Sequence, residues 1–170
     1  MLFRSNFIKW NSDINLNKSI LSDYSVNTRF VFQKLVSDRG LINSEQINIT
    51  GPGQMSGFES GNMSGDQGYF LRTEVSKSFF PFLKGDENIK AKSIRIEPYI
   101  HLGVGATYYD RPASGEFSRT EVASGGYGLK LNIPLNSNNL NISFEVAEAD
   151  KSVAGTNSKP VFLLNATFSF

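Results

Sequence analysis

Residue types that carry covalent or metal chemistry are almost missing from this 170-residue chain. It has no cysteine and a single histidine, His101, so a transition-metal site lacks both a thiolate and a second imidazole. His101 reads as a lining or structural side chain. Asp86 and Glu87 share a turn with no base nearby and read as solvated. Gly103-Val104-Gly105 lacks the rest of a dinucleotide fingerprint and a following helix. Asn48-Ile49-Thr50 and Asn141-Ile142-Ser143 match a glycosylation pattern but fall within strand-like runs. With no nucleophile–base set, the expectation is a protein that is not an enzyme and takes no cofactor or metal. The remaining chemistry is non-covalent. Arg72 and Glu74 lie two apart on one face of a strand-like run, either as a charge pair against an inserted loop or as solvated lining.

The elements that must position such a pair repeat with period two. From Ile8 to Leu16 the even positions are Ile8, Trp10, Ser12, Ile14 and Leu16, and the odd ones are polar. Tyr24–Lys34 repeats the alternation, and a short run at Gln46–Thr50 leads into a Gly-rich stretch, Gly51–Gly68. Tyr69–Phe79, Ile94–Tyr108, Thr120–Ile133, Leu140–Val146 and Pro160–Phe170 complete about eight strands. The last even positions are Phe162, Leu164, Ala166, Phe168 and Phe170, so an apolar stripe runs to the chain end. No segment approaches the ~20 apolar residues of a membrane helix. A net charge of +1 gives no electrostatic case for nucleic acid.

This pattern predicts an all-β fold. Alternation alone leaves open a membrane barrel, with apolar residues outward, and a soluble β-sandwich or lipocalin-like barrel, with apolar residues inward. Gly, Tyr and charged residues share the polar face, as in a wet lumen. Aromatics gather near strand ends, where interfacial girdles belong. Connections alternate in length: Ser19–Asp23, Phe80–Ser93 and Pro134–Asn139 at one end, and Ser37–Glu45, Gly51–Gly68, Asp110–Arg119 and Ala149–Lys159 at the other. Apart from Phe80–Ser93, they fit short periplasmic turns and long external loops. The expectation is a transmembrane antiparallel barrel in the bacterial outer membrane.

Five stretches in order carry a resemblance. Ser44-Glu45-Gln46 is followed by Gly51-Pro52-Gly53, then Met55-Ser56-Gly57-Phe58, then Gly65-Asp66-Gln67-Gly68, then Arg72-Thr73-Glu74. Glu97-Pro98-Tyr99-Ile100 and Ala123–Leu129 continue the series. The whole resembles the transporter subunits of two-partner secretion, the haemolysin secretion/activation proteins of the Omp85 superfamily. In them a Ser-Glu-Gln strand leads to a Val-Arg-Gly-aromatic loop tip, then a Gly-Asp-x-Gly turn and an Arg-x-Glu strand.

The resemblance implies periplasmic POTRA domains, a barrel of about sixteen strands and export of a haemolysin or adhesin partner. Residues 1–170 would be the C-terminal half of that barrel, without the POTRA domains and earlier strands. Met1–Asn6 is not a signal peptide, which fits a fragment. The implied loop-tip residues are Met55, Ser56, Gly57 and Phe58, and the implied lumen contacts are Gly65, Asp66, Gly68, Arg72, Glu74 and Gly103. Phe168 and Phe170 match the aromatic end of the barrel-assembly signal. The implied partners are the exoprotein, outer-membrane lipid and the assembly machinery. Two departures stand out: Ser56 replaces the loop-tip arginine, and Gly103 replaces its aspartate partner. Their joint loss avoids the roughly 3–5 kcal/mol cost of a buried unpaired charge. Gly51–Gly68 is then expected inside the lumen, held by backbone contacts and Phe58 packing. The alternative function is a small eight-stranded barrel without transport, or a soluble binding module.

Overall fold

The computed structural model describes residues 7–37, 40–80, 94–112, 114, 117–135, 138–150 and 159–169. Along them run β1 (Lys9–Ser19), β2 (Tyr24–Leu35), β3 (Ile47–Asn48), β4 (Ser64–Gly65), β5 (Gln67–Lys77), β6 (Arg95–Tyr108), β7 (Arg119–Leu135), β8 (Asn138–Ala149) and β9 (Val161–Ser169). Seven strands form one antiparallel sheet in the order β1-β2-β5-β6-β7-β8-β9. Once β3 and β4 are set aside, each strand pairs with its neighbour in sequence, giving an up-and-down wall. The sheet is open, with β1 and β9 as its edges, so the fold is all-β and has the form of part of a barrel. Asp86, Glu87 and Phe170 lie outside the described residues.

The short run at Gln46–Thr50 is not a wall strand. Ile47 and Asn48 form β3, which pairs with β4 in a separate two-stranded sheet. The reason is geometric: a membrane strand needs about 9–11 residues, and its two connections must leave from opposite ends. Ser37–Glu45 and Gly51–Gly68 leave from the same end, so the strand between them belongs to one long connection from β2 to β5.

The alternation resolves into two faces of opposite character. On β6, Leu102 is 73% exposed and its neighbour His101 is 2% exposed. Trp10, Leu71, Ile100, Tyr127, Phe162 and Leu164 share the outward, exposed face. Gln33, Arg72, Thr107, Ser124 and Glu145 are buried on the inner one. Leaving a large apolar side chain in water forfeits about 1.5–3 kcal/mol, so the outer face calls for an apolar solvent. A soluble sandwich would turn this face inward. The structure does the reverse, as a barrel wall in lipid does.

The packed apolar core lies between the sheet and its own loop. Ile47, Ile49, Met55, Phe58 and Met63 from the β2–β5 connection pack on Phe70, Val122 and Ala149 of the wall. The connection therefore folds back over the inner face.

Candidate functional site

The site is the tip of that connection and the charged patch beneath it. Its local shape follows from residue type. Gly51-Pro52-Gly53-Gln54 closes with Gln54 N–H donating to the Gly51 carbonyl at 3.1 Å. Pro52 supplies the fixed φ of the first central position, and Gly53, at φ +72°, the positive φ of the second. The tip is then sewn to its own stem. Met55 N–H donates to Ile49 O at 3.1 Å, Ile49 N–H to Met63 O at 3.1 Å, and Phe58 N–H to Met55 O at 3.2 Å. Thr50 adds a side-chain link, its Oγ1 accepting from Met63 N–H at 3.3 Å.

The tip meets the wall at three strands. Gly57 lies flat on β8, where a Cβ at this position would stand 2.3 Å from the Glu148 carbonyl carbon. On β6, a Cβ on Gly103 would stand 2.9 Å from Met55 Sδ, so the missing side chain is the space the Met55 thioether uses. From β5, Arg72 Nη1 donates to Ser56 Oγ at 2.5 Å and to the Gln54 carbonyl at 3.0 Å. Ser56 is fully buried, and Phe58 is buried in the apolar cluster on the inner face.

Behind Arg72 stands a carboxylate on β8. Arg72 Nη2 donates to Glu145 Oε2 at 2.9 Å, and the Tyr99 hydroxyl donates to the same oxygen at 2.6 Å. His101 Nε2 lies 3.1 Å from Glu145 Oε1. Glu74 Oε2 is 3.8 Å from Arg72 Nη2, and Glu74 is itself paired with Lys130, which sits over the Tyr99 ring at 4.5 Å. β5 and β8 are three strand spacings apart, about 14 Å along a sheet. The reach is feasible because the rungs between them carry small residues. Arg72 faces Gly103, and Glu145 faces Gly128. Gly126 and Gly128 are equally forced, since a Cβ on either would collide with the β8 backbone at 2.3–2.4 Å.

The root of the loop is held by Asp66. Its carboxylate accepts from Leu41 N–H at 2.8 Å, Asp110 N–H at 3.0 Å and Gln46 Nε2 at 3.3 Å. Its carbonyl accepts from Gln33 Nε2 at 3.1 Å. One buried side chain thus joins the start of the connection, its end and the loop after β6. Gly65 and Gly68 flank it where Cβ atoms would stand 2.9 Å from Tyr108 O and 2.7 Å from Ala106 O.

Of the residues singled out in the sequence, Met55, Ser56, Gly57, Phe58, Arg72 and Gly103 meet at the tip. Gly65, Asp66 and Gly68 sit together at the root, and Glu74 lies one rung from Arg72 toward Lys130. Phe168 lies apart from both, half exposed on β9. Sequence reasoning missed Glu145, Tyr99, Lys130 and Gln54. All but Gln54 lie on the polar side of an alternating strand, which was a visible signal. Their partnership was not visible, because Arg72 and Glu145 are 73 residues apart.

The cluster is a set of satisfied charges and hydrogen bonds facing an open cavity of about 550 Å³ lined by Arg29, Pro52, Arg72, Glu74, Lys130 and Glu145, among others. Among the described residues no group of three or more His, Cys, Asp or Glu side chains is arranged to hold a metal ion. Its contacts hold the loop against the polar face of the wall.

A search of the curated proteins finds no match. A protein-family model, the haemolysin secretion/activation protein ShlB/FhaC/HecB, matches residues 3–131, from before β1 into β7. That match covers most of the wall and the whole inner loop. The chain belongs to the ShlB/FhaC/HecB family of outer-membrane two-partner secretion transporters.

Proposed function

We propose that the chain forms the wall and inner loop of an outer-membrane pore that exports a haemolysin- or adhesin-like partner in two-partner secretion. One observation carries the reading: the sheet turns its apolar face outward and holds a folded loop on its polar face, in a chain of a transporter family. The inner face is suited to passing an extended polypeptide. Its charges are internally paired, Asp13 with Arg29, Glu97 with Arg95, Glu74 with Lys130 and Glu145 with Arg72. Such a surface is wet and offers a sliding chain no strong field of either sign. The outward apolar stripe of β9 with Phe168, followed in the sequence by Phe170, is the segment we assign to the barrel-assembly machinery. The full transporter would add further strands to the edges at β1 and β9, giving the C-terminal half of a larger barrel.

The test is bilayer conductance of the protein reconstituted from outer membranes. A pore whose conductance rises when residues 51–65 are replaced by a short Gly-Ser linker is expected. No conductance in either form, or absence from the outer-membrane fraction, overturns the reading. The smaller barrel without transport would need β1 to pair with β9, and these strands are the two edges of an open sheet.

A further inference from the structure

The inner loop is fastened by a charge carried on the wall. Toward that charge the loop tip contributes the Ser56 hydroxyl and the Gln54 carbonyl, both acceptors for Arg72 Nη1. Neither acceptor fixes where Arg72 points. Arg72 also has Glu74 on its own strand at 3.8 Å, and a guanidinium drawn fully to Glu74 would turn from the loop. Glu145 on β8 takes Nη2 at 2.9 Å, a contact that opposes such a turn. Glu145 is in turn held by the Tyr99 hydroxyl at 2.6 Å, and it is buried. Lys130 draws Glu74 the other way. Glu145 lies beyond the residues that the family model matches.

We propose that Glu145 is the positioning residue of a loop latch. Through Arg72 it keeps Ser56 and Gln54 docked, and so keeps the Gly51–Gly65 segment inside the pore. The proposal rests on the pore reading and deepens it. The latch spans three strand spacings of the wall, so strand movement between β5 and β8 during passage of a polypeptide would open it. The latching charge sits on the wall, and the loop is released without exposing a charge of its own.

The chain has no cysteine, so one introduced thiol reports the loop cleanly. Met55→Cys, at a fully buried position against Gly103, is the carrier in every variant. The readout is the rate of maleimide labelling of the full chain in outer-membrane vesicles, with heat-modifiable gel mobility reporting the folded wall. Glu145→Gln is expected to label about tenfold faster or more, the scale of one lost charge-assisted hydrogen bond, with gel mobility retained. Arg72→Gln should label equally fast, and the Arg72→Gln/Glu145→Gln double variant no faster than either single, because both act through one contact.

Ser56→Asp should restore slow labelling to Glu145→Gln, since it gives Arg72 a carboxylate on the loop itself. A role confined to folding would show neither the non-additivity nor this rescue. Ser56→Ala removes one acceptor and no charge, so it serves should Glu145→Gln not fold; it too should label faster. Labelling as slow as the parent in Ser56→Ala, or additive effects of the Arg72 and Glu145 changes, overturns the latch and leaves the pore reading standing. A parent chain without heat-modifiable mobility overturns the pore reading and the latch with it.

Discussion

Contacts at the loop tip are made as much by missing side chains as by present ones. Gly57 is pressed on the β8 backbone so closely that Gly57→Ala has to displace the tip, because a carbonyl carbon 2.3 Å from a new Cβ cannot yield as a side-chain end can. Overpacking of this kind costs about 1–3 kcal/mol. The expected outcome is rapid cleavage of the 51–63 segment by added protease, with the wall strands still protected. Gly53→Ala is the control, since no atom lies within 4 Å of its would-be Cβ. There the penalty is the positive φ alone, about 1–2 kcal/mol. Gly57→Ala should therefore open the tip at least as far as Gly53→Ala, although Gly57 carries no positive φ. At Gly103 the neighbour is the flexible Met55 thioether, so Gly103→Ala should be the mildest of the three.

Among the elements, the β2–β5 connection behaves as a small domain lodged on the inner face. It has its own two-stranded sheet, it shares one apolar cluster with the wall, and Asp66 ties its two ends together. Asp66→Ala leaves the buried Leu41 N–H without its acceptor, at about 1–3 kcal/mol, and releases the N–H of the exposed Asp110. The expected result is faster amide exchange across residues 41–50 and 63–66 with little change in β6–β8. Equal loss of protection throughout the sheet would show instead that loop and wall unfold as one unit. Ser44-Glu45-Gln46 and Gly65-Asp66-Gln67-Gly68 were visible as motifs in the sequence, but their meeting was not. Asp66 and Leu41 come together only after the chain has gone out through β3 and back through β4.

For the molecule as a whole, the decisive property is which face meets which solvent. Leu102 is exposed near the middle of β6, so Leu102→Arg places a charge on the outward band at a cost of about 2–4 kcal/mol in lipid. Asn165→Asp, on the opposite face of β9, adds a charge to the cavity side and should be tolerated. Membrane-assembled yield by heat-modifiable mobility separates the two: strong loss for Leu102→Arg, near-parent yield for Asn165→Asp. The reverse result would mean that the faces are assigned the wrong way round. In the pore proposed above, the sheet edges at β1 and β9 would have no water to satisfy their backbone N–H and C=O groups, so pairing of these edges would be a condition of stable insertion.

By itself the sequence determined that the chain is built of strands, which residues share a face, and where the turns fall. Period two, Gly-Pro-Gly and Gly-Asp-x-Gly are local properties that act within a few residues, and each was legible without a structure. It also carried the ordered motifs of the family. Only the tertiary structure decided that the apolar face is the outer one, since inside and outside are properties of a curved sheet and not of a strand. It removed Gln46–Thr50 from the wall for the same reason, because membership of a sheet depends on what lies alongside. And it joined Arg72 to Glu145 across three strand spacings, over glycine-bearing rungs that look like gaps in the sequence and serve as clearance in the fold.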